Sequence, residues 1–134
     1  MLLPMISLFL AGAQAASTCE DYGKGHRVGT LRADGLDESS GLSWSALNPG
    51  AYWTIPDNHN PNTLYAIDDQ GHLLDSFAVS MADNEGWEDI ATAPCDESCS
   101  CLFIGDIGDN ALARDHGTIY RLSEPVLGGT HDVT

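Results

Sequence analysis

The stretch Cys101-Leu102-Phe103-Ile104-Gly105-Asp106-Ile107-Gly108-Asp109-Asn110-Ala111-Leu112-Ala113-Arg114 decides how the chain is read. The apolar run Leu102, Phe103, Ile104 ends at Gly105, and Asp106, Asp109 and Asn110 then arrive around a second glycine, Gly108. A short apolar run bounded by turn residues predicts a buried strand that delivers oxygen ligands at its end. Upstream, Glu85-Gly86-Trp87-Glu88-Asp89-Ile90-Ala91-Thr92-Ala93 has the same design, with two adjacent carboxylates beside a large aromatic on a β-prone run. Neighbouring strands of this kind would bring several carboxylates to one place.

Outward from this stretch, β-prone runs recur at 51–55, 63–68, 72–79, 87–93, 101–107 and 117–122, with 28–33 as a first strand and 34–45 as turn chemistry leading into another. Asn48-Pro49-Gly50, Asn60-Pro61-Asn62 and Asp69-Gln70-Gly71 punctuate them as turns. No helical period is sustained, beyond a turn at 111–114. The class is all-β with antiparallel hairpins in sequence. Tyr52-Trp53-Thr54-Ile55-Pro56-Asp57-Asn58 followed by Leu64-Tyr65-Ala66-Ile67 is similar to Leu102-Phe103-Ile104-Gly105-Asp106 followed by Thr118-Ile119-Tyr120-Arg121-Leu122. The offset of roughly fifty residues is that of one four-stranded propeller blade. On that spacing the expected fold is two to three four-stranded antiparallel blades of an incomplete β-propeller, because a closed ring takes about four blades or more.

Residues 1–16 hold no charged side chain, carry an apolar run through Leu10 and offer Ala13-Gln14-Ala15 as a small-x-small cleavage site. They read as a secretory signal, although no basic residue precedes the apolar run. The run is too short for a stable membrane span. Residues 17–134 then form one small domain, expected outside the cell or in the periplasm.

Of the 134 residues, 20 are Asp or Glu and 5 are Lys or Arg, a formal charge of −15. Between positions 33 and 113 there are fifteen carboxylates and no Lys or Arg. They face water, carry protons or bind cations, and a nucleic-acid partner is disfavoured because its phosphates would be repelled. Four cysteines in an exported chain favour disulfides over a thiolate metal site. Cys95-x3-Cys99-x-Cys101 lacks zinc-ribbon spacing. A Cys99–Cys101 bridge would be strained, so Cys95 with Cys101 is favoured, leaving Cys19 and Cys99 to pair or stay free.

Glu38-Ser39-Ser40-Gly41-Leu42, Trp53 to Asp57, Leu64-Tyr65-Ala66-Ile67-Asp68 with Gly71, Trp87-Glu88-Asp89-Ile90-Ala91, Gly105-Asp106-Ile107-Gly108-Asp109-Asn110 with Arg114, Ile119-Tyr120-Arg121 and Glu124-Pro125 stand in an order that resembles a group of secreted bacterial β-propeller proteins of largely uncharacterised function. The resemblance covers nearly all of 17–134 and implies that the chain is the amino-terminal part of a longer protein whose carboxy-terminal blades are its partners. The chain departs from the family at Pro56, where an amide side chain is lost.

Hard-cation chemistry suits the acidic turns, since calcium takes six to eight oxygens at roughly 2.3–2.6 Å and glycines let carbonyls approach. The candidate metal ligands are Glu38, Asp57, Glu88, Asp89, Asp106, Asp109 and Asn110, with calcium as the expected cofactor. Against this, Asp and Asn beside Gly build turns by bonding their own backbone. Trp44, Trp53 and Trp87 read as packing residues. No Gly-x-Ser-x-Gly elbow or His-Glu-x-x-His pair is present, and His59 beside Asp57 is the best general-base candidate. The expected function is extracytoplasmic binding by a propeller module with a calcium-type site. The alternatives are a metal-dependent hydrolase of an ester, lactone or phosphate, and a purely structural propeller fragment; the ligand is left open.

Overall fold

The computed structural model describes residues 23–57 and 60–133. The expected signal at 1–16, Cys19 and His59 lie outside the described residues. The β-prone runs form β1 (Ser39–Trp44), β2 (Tyr52–Pro56), β3 (Thr63–Ile67), β4 (Leu73–Val79), β5 (Trp87–Pro94), β6 (Ser100–Asp106), β7 (Thr118–Ser123) and β8 (Asp132–Val133). Among the described residues no helix is long and apolar enough to cross a membrane.

The strands build a five-stranded sheet in the order β1-β2-β3-β4-β8 and a three-stranded antiparallel sheet β5-β6-β7. Strands β1 to β4 are an antiparallel meander, and β8 joins β4 in parallel. The expected series of four-stranded propeller blades is therefore not formed: the sheets hold five and three strands, and neither closes on itself. The reason lies after β7. Leu127 N donates to Asn48 Oδ1 at 3.0 Å and Gly128 N to Asp75 Oδ2 at 2.9 Å, so the chain crosses to the other sheet instead of adding a fourth strand to its own. There Ala78 N donates to His131 O at 2.8 Å and starts the β4–β8 pairing. The fifty-residue likeness is thus local, two paired strands and the connection between them (β2–β3 and β6–β7), and carries no blade repeat.

One core is shared by both sheets. Trp53, Ile55, Leu64, Ala66, Phe77 and Val79 from the first meet Trp87, Ile90, Leu102, Ile104 and Leu122 from the second. Trp53 meets Phe77 edge to face with ring centroids 5.8 Å apart. Full burial of each large apolar side chain here stabilises by about 1.5–3 kcal/mol.

β1 packs beside β5 through small polar side chains. Ser40 Oγ donates to Glu88 O at 2.9 Å, Thr92 N donates to Ser43 Oγ at 2.9 Å, and Thr92 Oγ1 donates to Trp44 O at 2.6 Å. At Gly41 the strand bulges with φ +67°, and a Cβ would lie 2.8 Å from Ile90 N. That approach requires glycine. Since Ser40 and Ser43 turn toward β5, the alternation along the strand throws Leu42 and Trp44 outward, each 61% exposed. Trp53 and Trp87 are packing residues, whereas Trp44 is not.

The segment expected as a first strand makes a single parallel bridge, Arg32 with His72. It lies across the turn after β3, with Thr30 N donating to Gln70 O at 3.0 Å and Arg32 N to Gly71 O at 3.3 Å. Gly71, at φ +87°, has no room for a Cβ beneath this crossing: the carbonyl carbon of Thr30 would lie 2.7 Å away.

Candidate functional site

The register Trp87 with Asp106 brings the start of β5 against the end of β6, so the two acidic turns do meet. They meet around an arginine. Arg114 Nη1 donates to Asp106 Oδ1 at 2.5 Å and to Gly108 O at 3.0 Å, while Nη2 stands 3.6 Å from Glu85 Oε2. Asp106 is 1% exposed, and its Oδ2 accepts from Glu85 N at 3.3 Å. The Asp106 bond chiefly, opposed by burial, holds the Arg114 guanidinium above its ordinary range. The fifteen-carboxylate span has its cation one residue past its end.

The expected calcium site is corrected by the same geometry. Asp109 accepts from Ala113 N at 2.8 Å and Arg114 N at 3.2 Å, and Asp89 Oδ1 accepts from Ile90 N at 2.8 Å. Glu88 leans over Gly108, where a Cβ would lie 2.4 Å from its Oε1. Glu38 and Asn110 are exposed, and the Glu38 carbonyl accepts from Asp57 N at 2.8 Å. The Asp57 carbonyl in turn accepts from Asn84 Nδ2 at 3.0 Å. Among the described residues no group of three or more His, Cys, Asp or Glu is arranged to hold a metal ion. The calcium-binding propeller, its hydrolase alternative and the structural propeller fragment are all overturned, the first two with the metal cluster and all three with the blades. Ser39 and Ser40 are structural too, since Ser39 Oγ is bonded to Thr54 Oγ1 at 2.7 Å.

Cys95 and Cys101 are joined, with Cα atoms 5.2 Å apart, across the end of the β5–β6 hairpin. Cys99 is exposed and free of that bridge.

A second polar node escapes sequence reading. Glu124, 5% exposed at the end of β7, accepts at Oε1 from Trp53 Nε1 at 2.9 Å, Ser45 Oγ at 2.5 Å, Ala46 N at 2.9 Å and Leu47 N at 3.3 Å. Burial pushes this carboxyl up, but Ser100, Ser45, Trp53 and Leu47 together outweigh it and hold the group below its ordinary range. Ser100 acts as a nearby dipole, because neither its Oγ nor Glu124 Oε2 has a partner in hydrogen-bond geometry. A carboxylate followed by proline after an alternating strand was the available signal.

A concave feature of the surface lies elsewhere, on the outer face of the first sheet. Register sets Leu42 opposite Thr54, Trp44 opposite Tyr52 and Tyr52 opposite Ile67, so Leu42, Trp44, Tyr52 and Ile67 share the face turned away from Trp53 and Ile55. Residues 28–31 stand off this face as a wall, because the segment is fixed at the 70–71 turn and again where Tyr65 Oη donates to Gly35 O at 2.9 Å. The result is an open cleft of about 520 Å³. Leu42, Tyr52 and Ile67 floor it, Val28 and Leu31 wall it, and Asp68, Asp69 and Gln70 form its rim. Asp68 Oδ1 accepts from His72 N at 2.8 Å and Gln70 N at 2.9 Å, and Oδ2 meets His72 Nδ1 at 2.9 Å. The His72 backbone bond leads in holding the Asp68 carboxyl below its ordinary range, so Asp68 is ionised at neutral pH.

No family model matches the chain, and no curated protein or solved structure matches it. The functional reading therefore rests on geometry.

Proposed function

We propose that this chain is an exported ligand-binding domain whose site is the cleft between residues 28–31 and the outer face of β1, β2 and β3. The observation that carries the reading is the cleft itself, about 520 Å³ with Leu42, Tyr52 and Ile67 in its floor on a sheet face, Thr30 and Ser39 as its other polar lining residues, and its carboxylates and Gln70 at one rim. That volume and lining are those of small-molecule sites. Leu42 keeps 61% of its surface open to water at the floor, an unfavourable arrangement that a bound apolar group relieves. Export is supported by the uncharged apolar segment at 1–16 and by the Cys95–Cys101 bridge, since disulfides persist in oxidising compartments.

The test is binding of Nile red, a neutral apolar dye whose fluorescence rises on leaving water. Wild type is expected to bind it, and Leu42→Asp to weaken binding at least roughly tenfold, about 1.4 kcal/mol. Leu112→Asp, on a remote loop at a position 90% exposed, is expected to bind like wild type. Equal binding by wild type and Leu42→Asp would remove the cleft from consideration.

A further inference from the structure

The charge around the cleft narrows its ligand, on the reading that the cleft is the binding site. No Lys or Arg lines it, whereas Asp68 and Asp69 stand at its rim. Arg27 donates to Gly29 O and Thr30 Oγ1 of its own segment, and Arg32 lines an adjoining cavity that shares Val28, Gly29, Thr30 and Gln70 with the cleft and is lined also by His72. A body of formal charge −15 adds a long-range field that repels anions and gathers cations.

The form of the cation follows from the donors present. A metal ion needs several free oxygens converging on one point. Both Asp68 oxygens are already occupied by Gln70 and His72, so no such cage exists at this rim. An organic ammonium group asks less, because it gains from a carboxylate nearby and from an aromatic face beneath it. Tyr52 brings an aromatic ring to the floor, and Trp44 is its cross-strand neighbour on the same face. Leu42 and Ile67 then receive the apolar body attached to the charge.

We infer that the cleft binds an organic cation, an alkylated ammonium group carried on a small apolar body. Tyr52 and the Asp68–Asp69 rim hold the charge, and Leu42 and Ile67 hold the body.

Choline and 3,3-dimethylbutan-1-ol test this directly, since they have the same shape and differ in one positive charge. Both are titrated into the whole chain at low ionic strength, with affinity read from amide chemical shifts. Choline is expected to bind at least roughly tenfold more tightly than the alcohol. Asp69→Asn should cut choline affinity several-fold and leave the alcohol nearly unchanged, and Tyr52→Leu should cut choline affinity more than that of the alcohol. Equal affinity for the two probes overturns the cation inference while the cleft stands as an apolar site. Nile red bound at the cleft with no choline binding also overturns it. Failure of all three probes brings down the cleft reading itself.

Discussion

Trp53 Nε1 donates to Glu124 Oε1 at 2.9 Å, tying the buried face of β2 in the five-stranded sheet to the residue that follows β7, the last strand of the three-stranded one. Four donors converge on that one oxygen from positions more than seventy residues away. The bond holds the two sheets on their shared core. It also makes stability depend on a proton.

Glu124→Gln is expected to cost about 1–3 kcal/mol at pH 7, because a charge-assisted acceptor is replaced by a neutral one among buried donors. The sign of the pH dependence follows from the lowered folded-state value. Glu124 contributes its stability in full above the ordinary carboxyl value near 4.5, and loses it as pH falls through the lower folded value. Urea unfolding across pH 3 to 7 should therefore show the gap between wild type and Glu124→Gln narrowing from about pH 5 downward. A gap that holds constant or widens toward low pH contradicts the assignment.

Arg114 covers a buried carboxylate, so removing it alone leaves Asp106 buried without its partner. Arg114→Met is expected to lower Tm by roughly 10 °C, and the double variant Arg114→Met with Asp106→Leu to recover most of the loss. Thermal melts of the two proteins check this. A double variant no better than the single one would mean that Arg114 contributes packing and not charge compensation.

Local pattern was enough to read most of the strands and the loop closed by Cys95 and Cys101. It also placed Trp87-Glu88-Asp89 next to Gly105-Asp106, because a hairpin pairs neighbours in sequence. Partners set by the third dimension were not legible. Periodicity says which residues share a face of β1, but not that the side bearing Ser40 and Ser43 must approach β5, so Trp44 reads as core when it is surface. A run of carboxylates reads as a cation site until Arg114 folds back eight positions onto Asp106. β8 and the cleft depend on the crossing after Glu124 and on residues 28–31 resting on the 70–71 turn, which no strand pattern encodes.

The central claim is that ligands enter the cleft on the outer face of the first sheet. Its most direct test is a ¹⁵N amide map of the whole chain saturated with choline or with 3,3-dimethylbutan-1-ol. The account predicts shifts concentrated at residues 28–31, 39–42, 52 and 67–71, with the hairpin end at 95–101 and the loop at 107–116 unmoved. Shifts concentrated around Arg114 and Asp106 instead, with the cleft silent, would contradict it.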